Sequence, residues 1–272
     1  MIVVTGVTGR LGRIVIEDLL TRVPVDRLVA VARNPGKAAD LAERGVEVRR
    51  GDYDDRESLV DVFTGADRLL FVSSPDVTPG VRRRQHENVV DAAVRAAVGH
   101  IAYTSAIKAH EGPGFLEDHA VTEHLIRDAG LTYTFLRNTF YTEVFVNPPA
   151  VAAAVDSGEL RAADGGKPLN TATIRDLGLA ASAVLTGNGH EHTAYELRGP
   201  LWTFPELAET ISAVAGKPVV YREIPLEETG EMAFVFELVR SGFFADPSED
   251  LEKLLGRPAA GIREAVQEVL GR

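Results

Sequence analysis

The sequence predicts an α/β protein built on a doubly wound parallel sheet, and three observations predict it. Short apolar runs alternate with helix-length stretches through the first half of the chain. Alternation of that kind gives parallel strands covered by helices on both faces. Gly6, Gly9 and Gly12 follow the first apolar run at three-residue spacing. A helical period (Leu11, Ile14, Val15, Leu19) follows the glycines at once. Strand, glycine turn and helix in that order open a Rossmann-type sheet.

Taken in order, the apolar runs predict strands at Ile2–Thr5, Arg27–Ala32, Val46–Arg49, Arg68–Val72, His100–Thr104 and Thr132–Leu136, with a later one near Ala194–Leu197. Helices are expected between them over about 11–21, 35–44, 55–63, 80–97 and 116–129. Right-handed crossovers then place a ligand crevice at the carboxyl ends of the strands. After Leu136 the regularity fades. Pro148–Pro149 and Gly165–Gly166 mark excursions from the sheet, and helices are expected over about 174–185, 203–215, 225–240, 248–255 and 260–270. The expected organisation is a Rossmann domain over 1–138, to which 173–199 returns. Segments 139–172 and 200–272 would form a smaller, mostly helical lobe covering the crevice. No internal repeat or low-complexity linker interrupts it.

A hydrophobic content of 45% with 25% charged residues is that of a packed globule. No apolar run is long enough for a membrane span. The first strand begins at Ile2, so no leader is expected and a cytoplasmic location is. The absence of cysteine excludes a disulfide framework, a thiol nucleophile and a cysteine metal site. A net charge of −11 argues against a nucleic-acid surface. His190 and His192 lack a carboxylate cluster, so no metal is expected. Oligomeric state stays open, a homodimer included.

The glycine turn, with Val7, Thr8, Arg10 and Leu11, is expected to bind a dinucleotide. Gly6 turns the chain sharply, Gly9 lets the backbone approach a pyrophosphate, and Gly12 lets the helix pack closely on the sheet. The helix N-terminus adds N–H donors and a positive dipole end. Where an NAD site usually places an acidic residue, strand two ends in Arg33, with Lys37 one turn on. With Arg10, these cations suit a 2′-phosphate, so NADPH is expected in preference to NADH; the alternative is a solvated surface. Asp52 could accept from the adenine amino group with Tyr53 alongside, while Asp54 or Asp55 could cap the following helix. Ser73 and Ser74 suit backbone running beside a ribose and nicotinamide, or a polar turn. Arg82, Arg83 and Arg84 read as a solvated helix face.

Strand five carries Thr104 and Ser105, where a hydroxyl could reach the nicotinamide or a substrate carbonyl. None of the six tyrosines is followed four residues later by lysine, so the proton-donating Tyr-x-x-x-Lys pair of short-chain dehydrogenases is missing. His119 and Glu123 share a helix face at that place. Either His119 donates a proton or contacts substrate while Glu123 orients it or raises its pKa, or the two form a surface pair. Arg137 and Asn138 should emerge near the nicotinamide, with Phe140 and Tyr141 facing the substrate.

These stretches together resemble the NmrA-like branch of the atypical short-chain dehydrogenases, and within it the type 2 NAD(P)H:quinone oxidoreductases and triphenylmethane dye reductases. The resemblance rests on GVTGRLG at 6–12, ARNPGKA at 32–38, SSP at 73–75 and YTSAIK at 103–108. It continues through DHAVTEHLIRDAGLTYTFLRNTFYTE at 118–143 and AYELRGP at 194–200. It implies NADPH along the sheet, a substrate held by the C-terminal lobe, and hydride transfer without the Tyr/Lys pair. In the related isoflavone-reductase branch a lysine stands where His119 stands here. The implied activity is two-electron reduction of a quinone or similarly flat conjugated acceptor, with Ser105, His119, Asn138 and Tyr141 at the substrate end. NmrA-like proteins also include non-catalytic NAD(P) sensors acting through a protein partner, and that reading is the rival.

Overall fold

A computed structural model describes residues 1–111 and 115–272. The strands are β1 (Ile2–Val4), β2 (Leu28–Ala32), β3 (Glu47–Arg50), β4 (Arg68–Phe71), β5 (Ile101–Ala106), β6 (Tyr133–Asn138), β7 (Glu159–Ala162), β8 (Leu169–Asn170), β9 (Thr193–Leu197), β10 (Leu201–Trp202) and β11 (Val220–Glu223). The helices are α1 (Arg10–Arg22), α2 (Ala39–Glu43), α3 (Arg56–Phe63), α4 (Val81–Arg95), α5 (Phe115–Asp128), α6 (Thr142–Phe145), α7 (Pro148–Ser157), α8 (Ile174–Thr186), α9 (Phe204–Ala215), α10 (Ala233–Arg240), α11 (Asp250–Leu255) and α12 (Ile262–Val269).

The central sheet runs β3-β2-β1-β4-β5-β6-β9. The pairings from β3 through β6 are parallel, with Val3 opposite both Val29 and Leu69. This is a Rossmann-type doubly wound order, whose direction reverses between β1 and β4. β1 and β2 are buried along their whole length because helices cover both faces. β3 lies at the edge and carries exposed Glu47 and Arg50. Beneath the sheet, Val29, Val31, Phe63, Leu69, Phe71, Tyr103 and Phe135 pack as one core. Gly178 of α8 has a packing reason of its own, since a Cβ there would come within 2.6 Å of Ile14 Cγ2 on α1.

The chain divides into two compact units. One is Met1–Asn138 with Leu177–Glu196; the other is Thr139–Asp176 with Leu197–Arg272. The second unit is mostly helical, as expected, with short strands added. It contains a parallel pair, β7 with β11, and an antiparallel pair, β8 with β10. Pro148 and Pro149 start α7, outside the central sheet: proline needs no hydrogen bond in a first turn, and Asn147 Oδ1 caps Ala150 N–H at 3.0 Å. Phe145, Trp202, Phe204 and Phe236 meet edge-on in this unit's interior. Thr203 and Glu206 form a capping box at the start of α9. Among the described residues no helix is long and apolar enough to cross a membrane.

Candidate active site

The turn after β1 is built as its glycines require. Gly6 takes φ +66°, a left-handed conformation that glycine adopts freely. A Cβ on Gly12 would lie 2.4 Å from the Gly6 carbonyl oxygen, so only glycine lets α1 start this close to the turn. Gly9 differs. A Cβ there would meet nothing nearer than Gly6 O at 3.4 Å, so the protein's own packing does not demand glycine. The side chain is missing where a cradle must stay open. Gly9 is the N-cap of α1; no side chain caps the helix and its first turn holds no acidic residue. That end suits an anion. Val7 and Leu11 anchor the loop in the core, whereas Thr8, Gly9 and Arg10 are exposed.

Arg33 and Lys37 stand exposed beyond β2 and, among the described residues, form no ion pair or hydrogen bond. Asn34 Oδ1 accepts from Gly36 N–H at 3.0 Å and shapes the turn between them. Asp52 is half-buried beyond β3 and accepts from Asp54 N–H at 3.1 Å. Asp55 rather than Asp54 caps α3, accepting from Ser58 N–H at 3.2 Å. Tyr53, half-buried after β3, is held by internal partners. Its hydroxyl donates to Val72 O at 2.7 Å, lies 2.6 Å from Thr5 Oγ1, and its ring packs edge-on against Phe71. It ties the ends of β1 and β4 together from below, and burial pushes its pKa up.

The hydroxyls after β4 are also claimed internally. Thr104 Oγ1 accepts Ser73 N–H at 2.8 Å and donates to Ser73 Oγ at 3.3 Å, so Thr104 braces β4 against β5 instead of facing a ligand. Ser74 is buried; its Oγ donates to Gln85 Oε1 at 2.5 Å, and its N–H donates to His86 Nε2 at 2.9 Å. Ser73 stays half-buried at the strand end. The arginine run is not a solvated face: Arg82 is buried, Arg83 pairs with Glu117 and Asp118, and Arg84 pairs with Asp54.

His119 and Glu123 share a face of α5 but not a bond. The Glu123 carboxylate is fully buried at the centre of a separate cluster. It accepts from Ser105 Oγ (2.7 Å), from Arg137 Nε (2.9 Å) and Nη2 (2.7 Å), and from Arg127 Nη2 (3.2 Å); His110 Nε2 lies 3.0 Å away. Burial alone would push this carboxyl up, but Arg137, Ser105 and His110 outweigh it and hold the pKa at about 2. Two expectations change as a result. Ser105 gives its single proton to Glu123, so towards a ligand it can only accept a hydrogen bond. Arg137 pairs through Nε and Nη2 with Glu123 and through Nη1, at 3.1 Å, with Glu196 of β9, so it is first of all an internal counter-ion.

The partner of His119 is Tyr103 of β5, whose hydroxyl lies 2.7 Å from His119 Nδ1. His119 is 7% exposed. Burial, reinforced by the charge of Arg82, lowers its pKa to about 4, so the ring is neutral at neutral pH. Glu123 and Asp118 oppose that shift without cancelling it. Asn138 is 9% exposed, and its buried Oδ1 has no hydrogen-bond partner among the described residues. A buried amide left unmatched by the protein fits another amide, such as a nicotinamide carboxamide. Tyr141 lies in the second unit, where it precedes α6 and bridges to Ala172; Phe140 packs edge-on against Phe244 there.

Sequence reasoning missed Tyr103, His86 and Thr122. Alternation along β5 puts Tyr103 on the opposite face from Thr104, but only the packing of α4 and α5 shows which residues it meets. The open cradle at Gly9, the unclaimed cations after β2 and the orphaned Asn138 oxygen together fit a phosphorylated dinucleotide. Among the described residues no cluster of His, Cys, Asp or Glu could hold a metal ion.

The NmrA-like family pattern matches residues 1–253. Quinone oxidoreductase 2 of Escherichia coli strain K12 is 37% identical over 99% of this chain and 98% of its own length. The crystal structure of triphenylmethane reductase from Citrobacter sp. complexed with NADP(H) is 40% identical, with a TM-score of 0.95 over 99% of this chain and 100% of that one. That of an NADPH-dependent quinone oxidoreductase from Escherichia coli, complexed with NADPH, is 36% identical, with a TM-score of 0.90 over 99% and 100% of the two chains.

Proposed function

The chain belongs to the NmrA-like family, and on that premise we propose that it is an NADPH-dependent reductase passing two electrons to a quinone or a similarly flat, conjugated acceptor. It is an NAD(P)H-dependent oxidoreductase with NADP(H) as its cofactor. The observation that carries the reading is the glycine turn, which is kept open at Gly9 for no internal reason, together with exposed Arg33 and Lys37, which form no hydrogen bond or ion pair among the described residues.

The residues take their roles from that geometry. The start of α1, with Gly6, Val7, Thr8, Gly9, Arg10, Leu11 and Gly12, binds the pyrophosphate. Arg33 forks onto the 2′-phosphate, helped by Lys37. Asp52 accepts from the adenine amino group, Ser73 borders the ribose, and Asn138 pairs with the carboxamide. NADPH, when bound, supplies the hydride. Towards the acceptor the chain offers Ser105 as a hydrogen-bond acceptor and neutral His119 as a polar contact. A quinone that takes a hydride leaves an anion spread over its ring, so it needs alignment and a hydrogen bond more than a strong acid. A histidine with a pKa of about 4 suits that demand and would serve reduction of a simple ketone poorly.

The test is loss of reduced-nicotinamide absorbance with a panel of benzoquinones and naphthoquinones, run with NADPH and NADH in parallel. Fast acceptor-dependent oxidation that prefers NADPH is expected. Tight NADPH binding with no turnover on any acceptor would replace the reductase with the sensor.

A further inference from the structure

Behind His119 lies a hydrogen-bonded chain whose proton positions are fixed by groups that can act in only one sense. Ser74 N–H is a backbone donor, so His86 Nε2, 2.9 Å away, must be bare. The His86 proton therefore sits on Nδ1, which faces Thr122 Oγ1 at 2.8 Å. Thr122 is free to accept it because its own proton goes to the Asp118 carbonyl at 2.7 Å. Tyr103 OH lies 3.5 Å from His86 Nδ1, which is already protonated, and 2.7 Å from His119 Nδ1. Thr122 Oγ1 also interacts with the phenol, but it already accepts from His86 and donates to the Asp118 carbonyl, so His119 Nδ1, at 2.7 Å, is the strongest acceptor for the tyrosine proton. A neutral ring that accepts on Nδ1 carries its hydrogen on Nε2, and that atom has no partner among the described residues and is not sealed from the surface.

We propose that Tyr103 is a positioning residue that holds His119 as the Nε2–H tautomer, turning it into a hydrogen-bond donor for the acceptor oxygen that becomes anionic during hydride transfer. The chain Ser74–His86–Thr122 sets the direction of the tyrosine proton. It thereby links the loop after β4, beside which the cofactor is placed, to the group that meets the acceptor. All five residues are buried, which strengthens each hydrogen bond of the chain. This inference rests on the quinone-reductase reading above. It also explains how a site without the Tyr-x-x-x-Lys pair still uses a tyrosine: the phenol acts through the histidine instead of touching substrate.

The experiment reads the ring nitrogens of ¹⁵N-histidine-labelled protein by long-range ¹H–¹⁵N correlation at neutral pH, with His86 and His119 assigned from single substitutions. Wild type should show His86 protonated on Nδ1 and His119 on Nε2. Tyr103→Phe should let His119 populate both tautomers and should lower kcat with a naphthoquinone about tenfold, with the Kd for NADPH unchanged. A wild-type His119 protonated on Nδ1, or on both nitrogens, overturns the proposal. So does a Tyr103→Phe protein in which either the tautomer or kcat stays as in wild type. If wild type reduces no quinone, the reductase reading falls while the tautomer data still judge the role of Tyr103. If Tyr103→Phe does not fold, the wild-type ring states decide.

Discussion

Among the described residues Arg33 and Lys37 form no hydrogen bond or ion pair, which makes cofactor choice a matter of single residues. Arg33→Ala should weaken NADPH binding about 10- to 100-fold, the worth of a hydrogen-bonded charge pair, and leave NADH binding nearly unchanged; titration with both cofactors checks this. Buried His119 makes a second residue-scale prediction. Its pKa is about 4 in the folded protein, against the ordinary 6.5. The unfolded chain therefore takes up a proton that the folded one refuses as pH falls below 6.5. Stability present above 6.5 is lost towards pH 4 by about 3 kcal/mol from this group. His86, also lowered by burial, adds to the loss. Glu123, held at about 2, acts in the same direction in a lower window, below about 4.5. Urea unfolding across pH should show these losses, with His119→Gln flattening the 6.5-to-4 portion. At this scale the sequence was legible where a residue faces outward, as for Arg33, and misleading where it faces inward. The partners of His119 and of Tyr53 come from other elements, which spacing within one helix or strand does not reveal.

At the scale of elements, the glycine turn separates structural from ligand demands. Gly12→Ala places a Cβ 2.4 Å from the Gly6 carbonyl oxygen and should destabilise the protein by at least about 2 kcal/mol, since backbone must move. Gly9→Ala meets no such barrier, so its melting temperature should stay near that of wild type while NADPH affinity falls at least tenfold. Thermal melts beside cofactor titrations distinguish the two. The Glu123 cluster ties α5 to β5, β6 and β9 through Ser105, Arg137 and Glu196. Glu123→Ala leaves Arg137 without its principal counter-ion and should cost about 3–5 kcal/mol in urea unfolding. The central elements could be read because each apolar run or helical period spans them: β2, α1 and α9 fall within a residue or two of expectation. The short pairs β7–β11 and β8–β10 could not. Strands of two to four residues carry too little periodicity, and their partners lie far along the chain.

For the whole molecule, the strand order β3-β2-β1-β4-β5-β6-β9 was implicit in the glycine turn and in the repeated alternation. Together they leave few right-handed arrangements. The mostly helical character of the second unit was legible too, but its short strand pairs and proline-started helix were not. The proposed function requires the molecule to hold a reduced nicotinamide in line with an acceptor. The most direct measurement is anaerobic single-turnover mixing of the preformed NADPH complex with a naphthoquinone, using NADPH deuterated at either face of C4. The account predicts rapid loss of reduced-nicotinamide absorbance, slowed by deuterium on one face only. No quinone-dependent loss, or a rate indifferent to deuterium on both faces, would contradict it.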